Sequence, residues 1–329
     1  MTNRKFIQMC ALGLFSALAL PAQNKPAGKI PRTPDGHPDL QGFWSNATRT
    51  PLERLPEFVG KATLTDAEAR AWEQKEADGW KELDGTSDGP LHQSKGSAGT
   101  GAYNVLFYDH GDGLARVDGV KRTSLVIDPP DGKLPSLTEA ARNRNRPDGR
   151  FTAYNSAQDR PLSERCLIGF GSTGGPPMLP VLYNNMYEIV QTPDAVMILV
   201  EMVHDARIIR INGTHPPASV RQWMGDTIGH WEGDTLVAET TNFTPQTRFR
   251  GSTPDLKVTE RFTRVDHKTF LYKATMEDPG TWAKPWTIEV PVVASNGPIY
   301  EYACHEGNYA MTDILGGARK LEAAETLKK

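Results

Sequence analysis

Cysteine is scarce in this chain, three in 329 residues, and a Cys-based metal site needs more ligands at closer spacing than that. No His-x-His pair and no helical His-Glu-x-x-His occurs, which removes the common local zinc motifs. A Gly-x-Ser-x-Gly elbow is also missing. The nearest glycine-rich run, Gly169-Phe170-Gly171-Ser172-Thr173-Gly174-Gly175, lacks the Lys and the strand-to-helix setting of a phosphate loop. Neither a metal nor a nucleotide cofactor is therefore expected. No sign of charge dominates, with 37 Lys+Arg against 40 Asp+Glu and a net of −3. That balance argues against nucleic acid as the main partner, because phosphate binding needs clustered cations. Beyond the first two dozen residues no apolar run reaches membrane length, so no membrane insertion of the mature chain is expected.

What is present is an ordinary globular composition, 38% hydrophobic and 8% aromatic with 30 Gly and 25 Pro, enough to bury a sizeable core. The chain opens with Met1-Thr2-Asn3-Arg4-Lys5, runs apolar to Leu20 and then reads Pro21-Ala22-Gln23. A basic start, a short apolar middle and small residues behind it make a Sec signal peptide over 1–22, cleaved after Ala22 or, alternatively, after Ala19. Cys10 leaves with it and sits in no lipobox, and the mature chain keeps 35 bases against 40 acids, a net of −5. The expected location is the periplasm or the extracellular space. In that oxidising compartment Cys166 and Cys304 can form one intramolecular disulfide. On the chain-entropy picture such a bridge restricts the unfolded state by at most about 5 kcal/mol. Two separately buried thiols are the alternative.

Residues 23–40 are an extended arm, and Leu40-Gln41-Gly42-Phe43-Trp44-Ser45 contains a short strand. Region 41–165 combines this start of the barrel with a long helical and loop cap. Within it Thr65 stands three residues before Glu68 behind Leu64, a capped helix start running to about Ala77 with Trp72 inward. Strands are expected at 103–108 and 123–127, and a second short helix from Ser136-Leu137-Thr138-Glu139 to Pro147. Region 166–315 begins with irregular coil and becomes a β-meander. Its strands are expected at Met186–Gln191, 196–203, 207–211, 228–231, Thr235–Thr241, 257–265, 269–276, 287–293 and 299–304. Tight-turn residues such as Glu232-Gly233-Asp234 join them. Closing such a meander removes its edges, so the expected fold is mainly β, an antiparallel up-and-down barrel with a partly helical, irregular N-terminal cap. Residues 316–329 read as a frayed helical tail.

Gly42-Phe43-Trp44 ahead of a meander resembles the G-x-W start of lipocalin-like barrels, which implies a Trp plugging one end. Longer stretches resemble those of a large group of secreted bacterial β-rich proteins, a resemblance that brings no activity with it. They are Trp231-Glu232-Gly233-Asp234-Thr235-Leu236, Thr259-Glu260-Arg261-Phe262 and Tyr300-Glu301-Tyr302-Ala303-Cys304-His305-Glu306. The stretch between Trp44 and Cys166 is too long for a lipocalin loop and is expected to cap the barrel mouth.

Candidate chemistry gathers in three places. In Glu201-Met202-Val203-His204-Asp205-Ala206-Arg207, strand alternation puts Glu201 and Asp205 on one face and His204 on the other. Two carboxylates on one wall are a possible acid/base set, since a partly dry pocket pushes their pKa values apart. In Cys304-His305-Glu306, a bonded Cys304 would fix the backbone beside His305, the candidate base, with Glu306 as a binding residue. Around Trp223, Asp226 and His230 an aromatic face beside polar groups suits a sugar, while Asn184 offers a hydroxyl contact and Arg207 a charge clamp. Each of these residues has a plain structural alternative: a core Trp, a surface turn, an ion pair. Two functions fit. One is a periplasmic enzyme using His and carboxylate groups on a carbohydrate-like or other hydroxylated small molecule, by hydrolysis, elimination or isomerisation. The other is a non-catalytic barrel carrying an apolar or aromatic ligand.

Overall fold

The computed structural model describes residues 30–85, 109, 111–144, 154–169 and 175–327. The signal peptide expected over 1–22 and the strand expected at 103–108 lie outside the described residues. Thirteen strands follow in chain order. The cap region holds β1 (Gly42–Ser45), β2 (Thr63–Leu64), β3 (Arg116–Val117), β4 (Val120–Arg122) and β5 (Val126–Asp128). Then come β6 (Met186–Gln191), β7 (Ala195–Val200), β8 (Ala206–Ile211) and β9 (Asp226–Glu232). The last four are β10 (Thr235–Thr241), β11 (Lys257–Arg264), β12 (Thr269–Glu277) and β13 (Trp286–Ala294).

β1 and β6 to β13 close into a nine-strand barrel, because β1 pairs with β6 through Gly42↔Ile189 and with β13 through Trp44↔Ala294. β5 continues along β13 where β1 ends, and β2, β4 and β3 form a small separate sheet. The barrel is mixed rather than wholly antiparallel: β8 and β9 run parallel, Ile209 beside Thr227. Parallel neighbours need a crossover of about a dozen residues or more, and residues 212–225 supply it. The expected strand at 299–304 is irregular instead. Pro298 ahead of it lacks a ladder donor, and the place it would take beside β13 is filled by β1.

Strict alternation builds the interior, as in β12, where Phe270, Tyr272, Ala274 and Met276 are buried and the residues between them half-exposed. Each large apolar side chain so enclosed contributes about 1.5–3 kcal/mol. Trp44 is 2% exposed, donates from Nε1 to Leu40 O at 2.9 Å, packs edge-on to Phe270 and carries the Arg264 guanidinium 4.5 Å above its ring. One polar cluster shares this interior. Arg207 makes a two-pronged bond to Glu260, 2.6 Å on each prong, with Tyr272 donating to the same carboxylate at 2.7 Å. The Met178 N–H closes the network on the Tyr272 hydroxyl at 2.8 Å.

Helix α1 (Asp66–Gly85) starts where the capping box sits: Glu68 N–H donates to Thr65 Oγ1, and Thr65 N–H to Glu68 Oε2 at 2.9 Å. Its Trp72 packs against Phe58, in a small core with Leu64, Ala69 and Leu114. Thr138 caps α2 (Glu139–Arg144), and α3 (Ala310–Thr326) begins six residues before the expected tail. No described helix is long and apolar enough to cross a membrane.

Candidate functional site

Alternation along β8 sends Arg207 and Ile209 inward and Ala206, Ile208 and Arg210 outward. On β9 the neighbouring outward positions are Asp226, Ile228 and His230. The crossover returns over this outer face. Between the two lies a cavity of about 600 Å³, walled by Asp205, Ile208, Arg210, Arg221, Trp223 and Asp226, with Leu167 and Ile168 on another side. That volume suits a small organic molecule.

Asp205 is placed by a strained turn. The 3-10 turn Met202–His204 holds Val203 at φ +61° and His204 at +42°. A β-branched residue rarely adopts that left-handed region, and such outliers persist where the surroundings fix them. The chain then leaves the turn as β8, with Asp205 at the cavity wall. Its carboxylate accepts a hydrogen bond from the Gly169 N–H, while Oδ2 is buried with no partner among the described residues. Burial pushes its pKa up to about 6, against the opposing pull of the Gly169 N–H and the His204 charge.

Asp226 meets the opposite surroundings. Arg210 grips it with both Nη groups at 2.8 and 3.0 Å, and His215 Nδ1 stands 2.6 Å from Oδ2. The Arg210 bonds foremost hold its carboxyl below the usual range, assisted by His215. One wall thus carries a carboxyl that protonates near neutrality and another that stays ionised. Half-buried Trp223 gives the cavity an aromatic surface. Arg221 spends Nη1 on Phe243 O and Pro254 O, both at 2.9 Å.

The other residues singled out in the sequence are dispersed. Arg207 reaches the cavity but commits both Nη groups to Glu260, which leaves it a structural cation rather than a free clamp. Glu201 is buried beside Asn184, accepts from Met186 N–H at 3.3 Å and has its pKa raised chiefly by burial, yet neither Glu201 nor Asn184 lines the cavity. His204 is exposed and contributes only its charge. His230 is exposed on the outer face, with Nε2 3.2 Å from Glu232 Oε1. His305 and Glu306 are exposed after Cys304, outside the cavity wall. Cys166 and Cys304 are joined in a disulfide, Cα atoms 5.9 Å apart, which fits an oxidising compartment and ties down the chain just before Leu167 and Ile168. Among the described residues no three metal-capable side chains converge.

Sequence reasoning missed Arg210 and His215, which set the state of Asp226. His215 lies in the crossover within Gly213-Thr214-His215-Pro216-Pro217, where no periodicity marks a face. The one available signal is the length of that crossover between two short strands. No protein-family model, curated protein or solved structure matches the chain.

Proposed function

We propose that the protein is a secreted acid–base enzyme acting on a carbohydrate-like or other hydroxylated small molecule in the cavity beside β8 and β9. The observation that carries this reading is the pair Asp205 and Asp226, two carboxyls that both line the cavity and are held in opposite protonation tendencies. Environments that separate two carboxyls in this way assign one to proton transfer and the other to charge stabilisation. Asp205, with a buried oxygen left without a partner among the described residues, is the proton donor and acceptor. Asp226, ionised and held by Arg210 and His215, supplies the fixed negative charge beside which Asp205 exchanges its proton. Trp223 packs on an apolar sugar face, while Gln222 and Thr244 offer hydroxyl contacts. The exposed His305 has no part in this arrangement.

The carrier reading finds less support, because Trp44, Tyr187, Phe262, Phe270, Tyr272 and Trp286 fill the barrel interior. A signal peptide over 1–22 and a periplasmic or extracellular location belong to the same proposal, supported by the disulfide.

Turnover of a panel of nitrophenyl glycosides, assayed from pH 4 to 8, tests the reading. Cleavage of at least one member with a rate limb near pH 6, lost in Asp205→Asn, is expected. No cleavage of any member, or an Asp205→Asn rate equal to wild type, contradicts it.

A further inference from the structure

A second cavity, about 510 Å³, lies between the segment that follows β1 and the segment that leads into β6. Its walls are largely apolar, with Pro51, Leu52, Leu125, Leu179, Val181 and Leu182, and two arginines, Arg49 and Arg250, reach it. Most arginines here are bonded to a carboxylate or a carbonyl, as Arg207, Arg210, Arg221 and Arg264 are. Arg250 differs: among the described residues it makes no hydrogen bond or ion pair. Glu53 is the acid whose field reaches it, and Glu53 Oε1 already accepts from the Leu134 N–H at 2.9 Å. Although Arg250 is exposed as a residue, protein crowded around its guanidinium lowers its pKa.

The backbone that presents Arg250 is held firmly. Arg250 sits at φ +48° in the 3-10 turn Phe249–Gly251, and buried Phe249 anchors that turn between Trp282 and Trp286, with ring centroids 6.4 and 6.2 Å away. A non-glycine residue kept in the left-handed region by an aromatic anchor is a preorganised presentation of its side chain. Arg49 donates from Nη1 to Glu73 O at 3.1 Å, but its Nε is buried with no partner among the described residues. Two guanidinium groups thus have donors to spare beside apolar walls. A guanidinium fork matches a carboxylate with two parallel bonds.

We infer that this cavity is a second ligand site, which takes a small organic monocarboxylate with an apolar body, its carboxylate on Arg250 and its chain against Leu52, Leu179 and Val181. Asp109 and Glu76 also line the cavity. Asp109 accepts from Gly111 N–H at 3.3 Å and from Asn185 Nδ2 at 3.4 Å, and Glu76 stands half-buried on α1. Their charges disfavour a dianion such as phosphate, whereas the apolar walls favour a monoanion that brings its own hydrocarbon.

Calorimetric titration of the full mature protein with hexanoate tests the inference, with 1-hexanol and inorganic phosphate as comparison probes. Hexanoate is expected to bind with one-to-one stoichiometry, and more tightly than either comparison probe. Arg250→Asn, whose new residue tolerates the left-handed backbone, is expected to weaken it at least about tenfold at an unchanged melting temperature, as loss of a charged hydrogen bond implies. Asp205→Asn leaves hexanoate binding unchanged, which separates this site from the first cavity. Absence of hexanoate binding at millimolar concentration, full affinity in Arg250→Asn, or phosphate binding as tightly as hexanoate overturns it.

Discussion

The buried pair Arg207 and Glu260 allows a quantitative test of how the barrel carries polar groups inside. Both residues are nearly inaccessible, 5% and 0% exposed, and they share two bonds of 2.6 Å while Tyr272 donates a third bond to the carboxylate. Removing one partner leaves an uncompensated charge in the core, which costs about 3–5 kcal/mol. Spread over a chain of this size, that corresponds to a melting temperature lower by roughly 5–8 °C. Arg207→Met leaves Glu260 buried without its counter-charge. Replacing both residues, as Arg207→Met with Glu260→Leu, removes both desolvation penalties and is expected to cost less than the two single changes together. Urea unfolding of wild type, both singles and the double completes the cycle. Singles that each cost under about 1 kcal/mol, or a double equal to their sum, refute the reasoning.

Three further outcomes follow from the cavity wall and its supports. Gly225→Ala is expected to destabilise by about 2 kcal/mol or more, since φ is +71° and a Cβ there would meet Thr241 O at 2.6 Å; thermal melting reads it. Reduction of the Cys166–Cys304 bridge, which closes a separation of 138 residues, lowers stability by up to about 5 kcal/mol; an unchanged melt in reductant contradicts that. Asp205→Asn stabilises the protein at alkaline pH. Its folded pKa of about 6 lies above the ordinary 3.8, so the ionised form costs stability. That cost is absent below about pH 4, grows through pH 6 and is full above it. The variant should exceed wild type by about 2 kcal/mol at pH 8 and match it at pH 4 in denaturant titrations.

The barrel was legible in the sequence because alternation and turn residues are local signals. Thr235–Thr241 runs between Glu232-Gly233-Asp234 and Asn242, and its observed limits coincide with the expected ones. The cap of α1 was legible for the same reason, through Thr65 and Glu68. Closure was not. Whether β13 pairs with 299–304 or with Gly42–Ser45 depends on contacts some 250 residues apart, and no local pattern distinguishes them. The parallel junction was hidden likewise, since the residues of β8 and β9 alternate equally well in either direction. At the site, Asp205, Trp223 and Asp226 stood out as residue types, and all three line the cavity. Arg207 was also named, but its partner Glu260 is 53 residues away, and only the closed barrel joins them. His305 was singled out for its position beside Cys304, and the disulfide leaves its side chain exposed.

The central claim is that Asp205 is poised to exchange a proton in the cavity, and the most direct test is its own titration. Carbon-detected NMR of the side-chain carboxyl, assigned by comparison with Asp205→Asn and followed from pH 3 to 8, gives that value. A midpoint at about 6 is predicted. A midpoint near 4, the range of an exposed aspartate, would show a solvated carboxylate and contradict the account.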